Sequence, residues 1–133
     1  MTRLRSLLIC ATLALAGFSQ DALAESWQGL WRTAKDDNGY SGVIQLSRCG
    51  DKLCGRLVRS YNDKNEVFVS EYDGKNIITE TVKVGNGEYR GRAFSPDRGK
   101  TYNARMRMNG NKLNVRGCIF GICRDGGTWT RIK

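Results

Sequence analysis

Two C-x4-C units, Cys49-Gly50-Asp51-Lys52-Leu53-Cys54 and Cys118-Ile119-Phe120-Gly121-Ile122-Cys123, offer the most direct chemistry in this chain. Four thiolates can hold a zinc ion, a close pair can cycle electrons, and an oxidised pair is a covalent staple. Zinc ribbons use tighter spacings and redox motifs use C-x-x-C, so the spacing favours disulfides, with no metal and no other cofactor expected. Histidine is absent, which removes the commonest general base and the commonest metal ligand. The serines, aspartates and glutamates therefore have no imidazole to complete a triad. No carboxylate pair stands out for glycoside chemistry. Asp36-Asp37-Asn38-Gly39 lacks the ligand spacing of a calcium loop and reads as a solvated turn. No catalytic residues are assigned, and a non-enzymatic protein is the expectation.

The first 24 residues explain why oxidised cysteines are expected. Arg3 and Arg5 form a basic head, Leu7 to Phe18 is an apolar run, and Ala22-Leu23-Ala24 has the small-x-small pattern of a signal-peptidase site. A cleaved signal peptide over 1–24 is predicted, with Cys10 leaving in it. The apolar run is too short for a membrane span. Residues 25–133 then form one domain, exported to the periplasm of a Gram-negative-type bacterium, and not an integral membrane protein. A domain of this size buries only about two-thirds of its unfolded surface, so staples add useful stability.

Charge is unevenly placed. Residues 25–82 carry 8 basic and 9 acidic side chains, whereas 83–133 carry 12 basic and 3 acidic. In the cytosol that would suggest nucleic acid. Outside it, no nucleic-acid partner is expected, and the available polyanions are anionic lipid, lipopolysaccharide and acidic glycan.

The elements that must position these groups read as strands. Turn signals separate eight β-rich runs: Gln28–Ala34, Tyr40–Cys49, Cys54–Tyr61, Ile77–Val84, Glu88–Ser95, Thr101–Met108, Lys112–Cys118 and Thr128–Lys133. Val67-Phe68-Val69 is a possible strand fragment in the connection Asn62–Asn76. The pattern predicts an all-β, eight-stranded, antiparallel up-and-down barrel. In such a barrel alternate turns lie at opposite ends, so Cys49 should pair with Cys54 and Cys118 with Cys123.

Alternation assigns two faces. Tyr89, Gly91, Ala93, Tyr102, Ala104, Met106 and Met108 point inward and are the expected lining of an apolar ligand pocket. Arg90, Arg92, Arg105, Arg107, Lys112 and Arg116 share the outer surface and form an expected anion-binding face. The rim is placed at Lys35–Gly39, Asn62–Asn76, Pro96–Lys100 and Ile119–Gly127, the last bringing Ile119, Phe120 and Ile122 to the mouth.

Gly29-Leu30-Trp31, with Trp129-Thr130-Arg131 at the far end, resembles the barrel closure of lipocalins, in which Arg131 would cover Trp31 beside Gly29. Six ordered motifs carry a wider resemblance: Gly29-Leu30-Trp31-Arg32-Thr33, Gly42-Val43-Ile44, Cys49-Gly50-x-x-Leu53-Cys54-Gly55, Pro96-x-x-Gly99-Lys100-Thr101-Tyr102, Val115-Arg116-Gly117-Cys118 and Thr128-Trp129-Thr130-Arg131. Together they resemble the small exported bacterial proteins grouped as domain of unknown function 2147. The resemblance implies a lipocalin-like barrel and brings no catalytic residues. Two functions are expected on this basis. The first is binding of a small apolar or amphipathic ligand inside the barrel. The alternative is an envelope interaction protein that binds anionic lipid, lipopolysaccharide or glycan with its basic outer face.

Overall fold

Alternating side chains and short turns build one continuous sheet in the computed structural model, which describes residues 26–133. The expected signal peptide, its cleavage site and Glu25 lie outside the described residues. The strands are β1 (Gly29–Arg32), β2 (Ser41–Cys49), β3 (Lys52–Tyr61), β4 (Val67–Phe68), β5 (Asn76–Gly85), β6 (Glu88–Ser95), β7 (Lys100–Asn109), β8 (Lys112–Ile119) and β9 (Ile122–Arg131). The pairings run β2-β1-β9-β8-β7-β6-β5-β3, and β2 also pairs with β3, so eight antiparallel strands close on themselves. The two-residue β4 pairs with β3 alone, outside the closed ring.

Up-and-down order sorts the connections. The turns at 50–51, 86–87 and 110–111 lie at one end, with the start of β1. The connections at 33–40, 62–75, 96–99 and 120–121 form the mouth. Across that mouth, Arg98 Nη2 lies 3.3 Å from Asp37 Oδ2, tying together two connections on opposite sides of the ring.

The core runs through the barrel. Trp27, Trp31, Ile44, Leu46, Ile78 and Leu113 are almost wholly enclosed, joined by Tyr89, Met106 and Trp129. Trp27 precedes β1 and crosses the closed end. Its indole N–H donates to Cys54 O at 3.2 Å, and its ring lies 4.8 Å from that of Tyr89. Trp27 thus bolts the segment just before β1 to β3 and β6.

Several strand boundaries differ from the sequence reading, two of them at the disulfide hairpins. The last strand begins at Ile122, not Thr128, so the expected rim segment Ile119–Gly127 shrinks to a two-residue turn, Phe120-Gly121. Gly126-Gly127 looks like a loop signal, but the ladder continues past it through a register shift, with Asp125 Oδ1 accepting from the Gly127 N–H at 2.9 Å. The third strand begins at Lys52, before Cys54.

Both cysteine pairs are disulfide-bonded within their own hairpins, Cys49–Cys54 and Cys118–Cys123. Cys118 and Cys123 are direct cross-strand partners. Cys49 instead faces Lys52, and Cys54 faces Ser47, so the first disulfide runs diagonally. The Phe120-Gly121 turn has φ of 51° and 79°, the positive values of a type I′ hairpin turn. Phenylalanine in that region costs on the order of 1–2 kcal/mol against the glycine or asparagine usually found there.

Candidate functional site: a basic outer wall

Strands β6, β7 and β8 run in unbroken register, and register decides which side chains meet. Glu88 faces Arg107, and Arg107 faces Asn114; Arg90 faces Arg105, and Arg105 faces Arg116; Arg92 faces Asn103, and Asn103 faces Cys118. All nine side chains project outward. The middle row is three arginines side by side, ending on Asp125 of β9, the partner of Arg116.

Neighbours divide the expected anion face into two classes. Arg107 Nη2 lies 2.5 Å from Glu88 Oε1, Arg92 Nη1 lies 3.2 Å from Asn103 Oδ1, and Lys112 Nζ lies 3.1 Å from Thr130 Oγ1. These three cations are engaged. Asp125 is held below the usual carboxylate range by the Gly127 N–H first and the Asn114 amide second, with Arg116 contributing attraction. It stays ionised and borders the row. Among the described residues, Arg90 and Arg105 have no hydrogen-bond or ion-pair partner. Like charges placed directly across a sheet oppose pairing, so the Arg90–Arg105 pairing is a local cost, offset only at the Arg116 end of the row by Asp125.

A hollow of about 310 Å³ lies on this wall. Arg90, Asn103, Arg105 and Cys118 line it with outward side chains, and Gly121 of the hairpin turn closes it toward the mouth. Gly91 and Ala104 complete its lining. The guanidinium forks and the Asn103 amide match an anionic oxygen cluster. Asn103 was legible on the outer face but carries no charge, so a search for cations passes over it.

The seven expected pocket residues do share the inward face, pairing Tyr89 with Met106, Gly91 with Ala104, and Ala93 with Tyr102. Tyr89, Ala104 and Met106 are buried in the core, and Ala93 and Met108 pack against it. Gly91 opens no space. A Cβ there would lie 2.1 Å from Thr81 Oγ1 and 2.7 Å from Thr79 O, so the glycine permits β5 and β6 to approach. Gly91→Ala should therefore lower stability by about 1–3 kcal/mol, as overpacking does, read from the urea unfolding midpoint. An unchanged midpoint would mean that the position has room.

At the closed end, the Arg131 guanidinium sits 4.4 Å from the Trp31 ring centroid. Its two terminal nitrogens donate to Gln28 O at 2.6 Å and Ser26 O at 2.7 Å. Gly29, at φ 143°, leaves room for it: a Cβ would come within 2.7 Å of Arg131 Nη1. Gly29, Trp31 and Arg131 thus form one closure. A second hollow, about 220 Å³, lies beside it, lined in part by Lys83, Tyr89, Met108 and Arg131. Among the described residues no cluster of three or more metal-ligating side chains occurs, and no helix is long and apolar enough to cross a membrane.

A family model described as "Uncharacterized protein conserved in bacteria (DUF2147)" matches residues 29–131. No curated protein matches the sequence. Among solved structures the chain is similar to protein HP1028 from the human pathogen Helicobacter pylori, described as belonging to the lipocalin family. Identity is 18% and the TM-score 0.63, over 80% of this chain and 83% of that one. At that identity the likeness is one of fold, and it agrees with the closed eight-stranded barrel.

Proposed function

The chain belongs to the bacterial family DUF2147, and from that premise we propose that it is a non-enzymatic binding protein of the bacterial envelope whose basic outer wall takes a phosphate-bearing amphiphile. Its two disulfides suit an exported, oxidising location, which supports the periplasm and the signal peptide expected over 1–24. The observation that carries the binding reading is the arginine row. Arg90 and Arg105 stand in register on a hollow, with no ion-pair partner among the described residues. A bidentate anion would offset the repulsion that the fold leaves in place. Anionic phospholipid and lipopolysaccharide present the same phosphate chemistry, and parallel titrations with each distinguish them. The test is vesicle co-sedimentation at low and high salt, comparing wild type with Arg90→Glu plus Arg105→Glu. Binding indifferent to both would leave the wall as solvated surface.

A small apolar or amphipathic ligand inside the barrel is the second reading, its amphipathic form supplying an acceptor. One observation favours it: the Trp31 indole N–H is buried with no acceptor among the described residues, so the interior holds an unused donor. Ala104→Phe should then abolish uptake of a fluorescent apolar probe while the barrel stays folded. Equal uptake by both proteins would place the probe elsewhere.

A further inference from the structure

We infer that the β8–β9 hairpin tip, Ile119-Phe120-Gly121-Ile122, inserts into the acyl boundary of an anionic phospholipid bilayer while the arginines beside it hold the headgroups. The inference rests on the anionic reading of the wall and names the surface that wall meets.

Exposure is the first observation. Phe120 is 99% exposed, Ile122 73% and Ile119 50%. Single apolar side chains on a surface are ordinary, but three at one hairpin tip bordering a basic face form the pattern of an interfacial anchor. Val67 and Val69, 62% and 91% exposed, lie at the same end of the barrel.

Conformation is the second. A two-residue turn with positive φ at both positions selects Asn-Gly or Gly-Gly. Phe120 occupies it against the backbone's preference, and its ring gains no packing within the fold in return. Folding alone does not account for this residue. Just behind it, the Cys118–Cys123 disulfide clamps the two strands, so the tip is presented without splaying.

Continuity of charge is the third. The hollow that holds Arg90 and Arg105 reaches Gly121 of the tip, so apolar tip and unpartnered cations share one surface. An anionic bilayer complements both parts together: phosphates meet the guanidinium groups as apolar side chains enter the acyl boundary. A second copy of this chain would bring the same positive wall against itself.

The experiment uses the disulfide-bonded protein and flotation on phosphatidylcholine vesicles with and without phosphatidylglycerol. Phe120→Asn creates the preferred turn dipeptide. It should bind the anionic vesicles at least about tenfold more weakly, as expected for losing an aromatic anchor, with an equal or higher melting temperature and unchanged binding of inorganic phosphate. Phe120→Trp should show blue-shifted emission on these vesicles, quenched by brominated acyl chains. If Phe120→Asn binds as tightly as wild type and the introduced indole is not quenched, insertion is overturned while the wall reading stands. If wild type binds neither vesicles nor inorganic phosphate, both fall. If Phe120→Asn changes only self-association in sedimentation velocity, the tip is a contact between copies and insertion is overturned.

Discussion

Charge reversal at Arg90 and Arg105 should weaken binding to anionic vesicles about a thousandfold at low salt. The two residues face each other on β6 and β7, and among the described residues neither has a partner to release. Near an anionic surface each basic side chain contributes about 1 kcal/mol. Two arginines replaced by glutamates change the local charge by four units, hence about 4 kcal/mol and roughly three decades in affinity. The wild-type attraction should collapse as salt shortens the Debye length from about 10 Å at 0.1 M to about 3 Å at 1 M. The double Lys variant separates site from field. Lysine keeps the charge and loses the fork, so vesicle attraction should persist while capture of inorganic phosphate weakens. Stability supplies a second readout. Arg105→Glu alone sits between Arg90 and Arg116, so it replaces two like-charge pairings with two opposite ones. It should be slightly more stable than wild type and bind less well. A double reversal that binds normally at low salt would remove the wall from the function.

Trp31→Ala should cost about 3–5 kcal/mol, the range for deleting a large buried aromatic. Trp31 has no exposed surface, faces Ile44 on one side and Arg131 on the other, and carries the Arg131 guanidinium over its ring. Alanine removes the ring, leaves a cavity between the first and last strands, and frees the side chain that ties Gln28 and Ser26 to β9. Domains of this size have about 5–15 kcal/mol in all. The melting temperature should therefore fall by more than about 12 °C. Trp31→Phe should cost much less. It keeps most of the packing and deletes the indole N–H that lacks an acceptor among the described residues, a group whose burial costs about 1–3 kcal/mol. A loss below about 1 kcal/mol for alanine would show that the closure is not a strut.

Alternation along the chain determined the outward and inward faces of β6, β7 and β8, because side-chain direction in a strand has a period of two whatever its neighbours are. The turn residues determined that eight strands close the barrel and their up-and-down order, and that order put the two cysteine pairs at opposite ends. Gly29, Trp31 and Arg131 were legible as a closure only through the resemblance of the two chain-end motifs to the lipocalin closure. Local signals misled where one residue type serves two purposes. Gly126-Gly127 permits a register shift as readily as it ends a strand, and only the β8 ladder beside it selects the first. Gly91 reads as vacant space in sequence and is close contact in the fold, since its neighbour Thr81 comes from another strand. The tertiary structure alone decided which cations are engaged. Glu88 lies 19 residues from Arg107 yet touches it, while Arg90 and Arg105 face other arginines in their row. Register between strands sets those partners, and register comes from closure of the whole barrel rather than from any segment within it.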